Sequence, residues 1–452
     1  MSAPALVSGG SPESLRGTGA PRGPRERVLL AAAAVLLAGP TVIAFWSGGY
    51  FDAPRIDAGL IAFALFAVAV VACPRPLPAR RGGRLALSGL TALALFTLLS
   101  MLWAPVVGSA YHAGQLGLLY AGVLAASAAV LQSARAQRAV EPVLAAGILL
   151  VIGYGLSERL LPGLLQFARS TSAQGRLEQP LTYWNAMGEL AALGVVLAAR
   201  LAGDVSRPRA VRIAAAAAGA PLGLGLYLSF SRGALFAAVA GLITLAVVAP
   251  RLGQLRAIAV AVISAALAAA VSAPLDGVTS LAGSPAHREG QGLIMLIALL
   301  VLMIAAALLG RRLSAGGEDR PWALPRRAPW IAVAVICAGL AVAIVAGAKE
   351  HSAQPLGGGG ARLVSLQSNR YAYWRVALRA FGQSPLYGVG AGGWAVDWLR
   401  WRPFLEGAQD AHSLELQTLA ELGVVGLALL AVFLAGVALA ARDALRRAPA
   451  AA

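Results

Sequence analysis

The chain has 452 residues, 58% of them hydrophobic and 13% charged, with a mean hydropathy of +0.73. A soluble domain carries about 25% charged residues, so the composition excludes a soluble globular protein and implies a polytopic membrane protein. The net charge of +17 comes from arginine, with Lys349 the sole lysine, and the arginines fall between apolar segments as the positive-inside rule expects, not as a nucleic-acid surface would.

In chain order, residues 1–25 are rich in Ser, Gly, Pro and Arg without periodicity and read as a disordered tail. Apolar spans follow at about 28–47, 58–73, 85–104, 113–131, 140–157, 184–202, 213–229, 233–249, 257–273, 291–310, 330–347 and 415–440. Each is near the length a helix needs to cross a bilayer, which predicts an all-α polytopic protein of about twelve transmembrane helices. The expected organisation is a cytoplasmic tail (1–25), helices one to eleven (26–347), a large external loop (348–414), the last helix (415–440) and a cytoplasmic tail (441–452). Cys73 and Cys337 both lie in apolar segments, which points to packed thiols and not a disulfide, and no zinc-ligand spacing exists.

Orientation follows from arginine. With the N-terminus inside, every inner segment carries at least two basic residues, and both termini are cytoplasmic. Most of the arginines left outside gather at 159–176 and at 349–402, with Arg232 between two spans. The guanidinium fork matches the oxygens of an anionic ligand such as pyrophosphate, although lipid headgroups or Glu178, Asp397 and Glu406 could also pair with these arginines. Arg232 sits in a very short turn between two spans, where a charge is costly without a role.

The stretch 368–423 carries most of the polar signal. Ser368 or Asn369 can cap a helix running to about Phe381. Tyr371, Trp374, Leu378 and Phe381 make one apolar face of that helix, with Arg375 and Arg379 on another. GVGAGG at 388–393 reads as a flexible turn of close approach. Asp410 reads as the N-cap of the last helix. That puts His412 in the first turn, where the helix dipole disfavours imidazolium and a neutral ring can accept a proton. Tyr183, Trp184 and Asn185 open the sixth span, with Glu189 one turn on as a buried carboxylate able to pair with an arginine. No DxD motif occurs, and no external cluster has metal-ligand spacing, which favours chemistry without a metal.

Three ordered blocks, GRLEQPLTYWNAMGELAALG at 175–194, YLSFSRGALFAAVAGL at 227–242 and Arg370…Trp374 followed by SPLYGVGAGG and DAHSLELQTLAELGVVG, resemble the O-antigen ligase and polymerase superfamily over roughly 175–435. The resemblance implies a membrane glycosyltransferase that moves a glycan from a polyprenyl-pyrophosphate donor to a hydroxyl on an acceptor glycan or glycolipid. It implies an external site in a bacterial inner or plasma membrane, with membrane lipids as surroundings and no cofactor or nucleic acid. His412, Arg232 and Arg370 are then the expected catalytic residues. Arg176, Tyr183, Asn185, Arg375 and Asp410 are the expected substrate-binding residues. The alternatives are a polysaccharide polymerase of the same superfamily and a lipid-linked glycan flippase. The flippase would want charges at mid-span, where this sequence has few.

Overall fold

The computed structural model describes residues 23–315, 320–322, 324–325, 327–348, 360, 363 and 368–447. Fifteen α-helices occur among them: α1 (Pro24–Ala44), α2 (Asp52–Ala72), α3 (Arg81–Leu99), α4 (Val107–Val130), α5 (Ala134–Leu160), α6 (Trp184–Gly203), α7 (Arg209–Leu228), α8 (Arg232–Val248), α9 (Leu252–Ser272), the single turn α10 (Asp276–Thr279), α11 (Pro285–Ala315), α12 (Ala328–Ala348), α13 (Arg370–Gln383), α14 (Gly393–Trp401) and α15 (Leu414–Leu445). No strand is present among the described residues. Ten of the helices are long and apolar enough to cross a membrane, and two shorter apolar helices, Arg232–Val248 and Ala328–Val342, complete a set of twelve. Each predicted span falls on one of the twelve. Residues 1–22, most of 349–367 and the loop around Gly316 lie outside the described residues, so the expectations for the tail and the early part of the large loop do too.

Small residues set how closely the helices approach. Along α3, Gly82 and Gly89 are spaced so that the backbone of α15 lies directly on them. A Cβ added at Gly82 would meet the amide of Ala440 at 2.6 Å, and one at Gly89 the amide of Phe433 at 2.6 Å. Since lipid tails are as apolar as leucine, association here rests on backbone contact and van der Waals packing. This antiparallel pair fixes the last helix, and with it everything built on its first turns.

The helices form two packing groups. One is α2, α3, α4 and α15; the other is α5, α6, α7, α8, α9 and α11; α1 joins them by packing on α2, α4 and α5. The main core lies in the second group, where Ile152, Leu156, Met187, Leu222, Leu224 and Met295 are all fully buried. Taken as crossings, twelve helices put both ends of the described chain on one side. The α5–α6 and α7–α8 links and the segment 368–413 lie together on the other.

Candidate active site

Two of the expected site segments are locked together before the large loop returns. Leu177 donates its amide to the carbonyl of Leu228 at 2.9 Å, tying the strap before α6 to the end of α7. The turn from α7 to α8 is held by its serines. Ser229 Oγ donates to the carbonyl of Leu226 at 2.7 Å and accepts from the amide of Ser231 at 3.2 Å, and Ser231 caps α8. Between them Phe230 is buried at φ +46°, a left-handed value that a bulky residue adopts only when its surroundings force it. Arg232 follows as the first residue of α8. Thr182, just ahead of Tyr183 and Trp184, also takes a positive φ of +59°.

The helix α13 forms where expected, but with a different buried face. Ala372, Tyr373, Val376, Ala377 and Ala380 are its buried residues, while Leu378 is exposed. The reason lies in α14: the indoles of Trp394 and Trp398 stack 5.7 Å apart and are fully buried, and Tyr373 packs edge-on to both. The Tyr373 phenol donates to Glu406 Oε2 at 2.9 Å, and Asn369 Nδ2 donates to the same oxygen at 2.8 Å. Burial, with the Glu406 hydrogen bond and charge beside it, pushes the Tyr373 phenol above its ordinary range, so it remains a donor.

His412 lies against this cluster, its ring 5.3 Å from that of Tyr373. Its backbone corrects the sequence expectation. Ser413, not Asp410, is the N-cap of α15, with its hydroxyl accepting from the amide of Leu416. His412 therefore precedes the helix, at φ +52°, and the helix-dipole reason for a neutral ring does not apply to a first-turn residue here. Asp410 instead orients the ring. Its Oδ1 accepts the His412 amide at 2.9 Å and pairs with Nδ1 of the same residue. When Nδ1 carries the proton, Nε2 is left as the ring's acceptor. The hydrogen bond from His412 holds the Asp410 carboxyl below the usual carboxylate range against the opposing effect of burial, and the Arg370 charge acts in the same sense.

The remaining expected residues divide into two sets. Arg370, the first residue of α13, is within electrostatic reach of Asp410 on one side and of Glu189 on the other. Arg232 and Arg370 both act on Tyr371, whose hydroxyl donates to the carbonyl of Ile344 at 2.7 Å. Within this set His412 and Asp410 are hydrogen-bonded, Arg370 is in electrostatic reach of Asp410, and Arg232 and Arg370 are in electrostatic reach of Tyr371. Glu189, expected to be buried, is exposed on the α6 surface; the charge it faces is Arg370. Arg176 stands apart. It is buried, with its guanidinium 3.7 Å from the Trp184 ring centroid, and it donates to the carbonyls of Ala173 and Ser172. It shares a small cavity with Arg159, Arg169, Glu158 and Glu178. Asn185 donates to the Tyr183 hydroxyl at 2.8 Å. Arg375 is exposed on α13, and Arg379 lies over the Trp401 ring at 4.2 Å.

The glycine-rich stretch is a clamp. Inside α15, Gly423 takes φ +63° and ψ −161°, which breaks the helix and frees backbone groups on both sides. Residues 385–390 run alongside and satisfy them. Val424 and Val425 donate to the carbonyls of Pro385 and Leu386, and the carbonyls of Ala420 and Glu421 accept from Val389 and Gly390. Irregular backbone at this depth is tolerated only when its polar groups are met by protein. Glu421 was not singled out by the sequence, because it sits in an apolar run. It is buried, accepts from the amide of Trp394 at 3.3 Å and from Gln417 Nε2 at 2.6 Å, and so joins α15 to the start of α14. Among the described residues, no group of three His, Cys, Asp or Glu is arranged to hold a metal ion.

An all-α bundle of membrane-length helices, with a polar, arginine-bearing cap leaning on its last helix, defines a multi-pass membrane protein. Residues 289–431, from α11 into α15, match the family model described as O-antigen ligase. The match covers about a third of the chain, and over that range the chain is similar to the O-antigen ligase family. The blocks at 175–194 and 227–242 lie ahead of the matched range. No curated protein and no solved structure matches the chain significantly.

Proposed function

We propose that the protein transfers a glycan from a polyprenyl-pyrophosphate carrier to a hydroxyl of an acceptor glycan or glycolipid, at the external face of a bacterial inner or plasma membrane. The carrying observation is a charged cluster: the hydrogen-bonded His412–Asp410 pair, with Arg370 in electrostatic reach of Asp410 and both Arg370 and Arg232 in electrostatic reach of Tyr371. It offers a proton acceptor at one end and two guanidinium groups at the other, the two needs of a displacement that expels pyrophosphate.

In this reading the acceptor oxygen attacks the anomeric carbon and its proton passes to Nε2 of His412. The bond from the anomeric carbon to the pyrophosphate oxygen breaks, and the configuration inverts. Arg232 and Arg370 bear the charge that grows on the leaving pyrophosphate. Asp410 fixes the ring tautomer. Tyr183 and Asn185 border the donor side, where Arg176 holds the start of α6 through Trp184, and Arg375 borders the acceptor side. The chemistry runs without a metal ion. Both termini are cytoplasmic, and the segment 348–414 is external. The last helix, which follows His412, packs along α3, while α8, which begins with Arg232, packs on α6 and α12, so the base and Arg232 stand on different helix groups.

The test is transfer by purified protein in detergent from a polyprenyl-pyrophosphate glycan to a glycolipid acceptor, with chelator present. Transfer by the wild type and its loss in His412→Ala is the expected result. Transfer by His412→Ala at the wild-type rate overturns the assignment.

A further inference from the structure

At the end of the bundle opposite the site, α1 and α5 part to leave a crevice of about 320 Å³. Leu30, Ala34 and Leu37 line it from α1; Ala139 and Val143 line it from α5, with Arg135 at its head. The spacing on each helix repeats every three or four residues, so each wall is one continuous stripe. Continued one turn toward the chain start, the α1 stripe reaches Arg27. An apolar slot between two membrane-length helices is therefore headed on both walls by arginine. Both helices also begin at this end, with their N-terminal poles adding positive potential. Among the described residues, no carboxylate pairs with Arg27 or Arg135.

We infer that this crevice is a binding site for an anionic phospholipid, one acyl chain lying in the slot and the phosphate on Arg27 and Arg135. Charge complementarity selects the occupant: an apolar ligand with a single anionic head fits, and a zwitterionic lipid gains little. The crevice is separated from the charged cluster by the length of α1 and α5, so the inference is independent of the glycosyl-transfer reading.

The experiment uses the full chain and phosphatidylglycerol, with phosphatidylcholine as comparison. Lipid retained after delipidation is counted by native mass spectrometry, and affinity is measured by titration in detergent. The wild type is expected to retain one phosphatidylglycerol. Arg27→Glu with Arg135→Glu, both on exposed positions that do not endanger folding, is expected to lower its affinity at least about 25-fold, each arginine being worth about fivefold. Ala139→Phe, which fills the slot, is expected to abolish retention, and Val333→Phe on the exposed surface of α12 is expected to leave it unchanged. If Ala139→Phe fails to fold, the arginine pair alone decides. No retained lipid in the wild type, equal retention of phosphatidylcholine, an isoprenoid phosphate retained in place of the phospholipid, or unchanged affinity in the arginine pair would each overturn the inference.

Discussion

The Gly390 amide donates to the Glu421 carbonyl at 2.8 Å, so the glycine-rich stretch and the start of the last helix are one backbone unit although thirty residues separate them. A Cβ at Gly423 would meet the amide of Tyr387 at 2.6 Å, and the residue holds φ +63° with ψ −161°, a conformation open essentially to glycine alone. Gly423→Ala is expected to lower the thermal midpoint in detergent sharply, with strain of roughly 1–3 kcal/mol before any clash is counted. Gly59→Ala, in open space on α2, is expected to be neutral or to raise it slightly. Equal midpoints for the two variants would mean that the clamp does not hold the site.

His412→Ala is expected to fold and to bind donor, because the ring is partly exposed and contributes little packing. Turnover should fall by about 10²–10⁴-fold, the usual worth of a positioned base. Asp410→Asn keeps the imidazole and loses its anionic anchor, so its turnover should lie between wild type and His412→Ala. A normal rate in Asp410→Asn would show that the pair has no positioning role.

Arg232→Ala should weaken donor binding as well as turnover, since pyrophosphate is charged before reaction begins. The loss in kcat/KM is expected at about 10²-fold, and Arg232→Lys should recover little, a point charge replacing a fork. Donor affinity measured separately from turnover checks this. Intact binding with lost turnover would assign Arg232 to the transition state alone.

The Asp410 carboxyl is held below its ordinary range, so its pairing with His412 stabilises the loop above about pH 4 and is lost as the pH falls through the lowered value. Wild type should therefore melt above Asp410→Asn at pH 6, with the gap closing below pH 4. A gap that stays constant down to pH 3 would mean that the pair contributes nothing to the folded loop.

For topology, single cysteines in a background lacking Cys73 and Cys337 give a direct reading. Gly407→Cys, with nothing within 4 Å of its Cβ, should react with an impermeant reagent added to intact cells. Ser206→Cys, between α6 and α7, should react only after the membrane is opened. The reverse pattern would invert the orientation.

Twelve helices were legible because each is a long apolar run bounded by arginine, glycine or proline, and the bilayer requires little else of a sequence. The site was legible only in its residue types. Asp410 and Ser413 both suit an N-cap, and the choice between them depends on Asp410 already holding His412. The buried face of α13 turned toward Tyr373 because two tryptophans of α14 wait there, a partner that lies beyond any local periodicity. Glu189 was misjudged as buried because one apolar helix looks uniform until its neighbours are known. Glu421 was invisible for the same reason, the Trp394 amide that it accepts from lying far along the chain.

The last helix is pressed against α3 through glycine and alanine, whereas α12 meets the bundle through α8 and through the Tyr371 hydrogen bond to Ile344. The two sides of the charged cluster therefore differ in stiffness. The α15 side is held along a whole helix pair, and the α12 side, among the described residues, at α8 and one hydrogen bond.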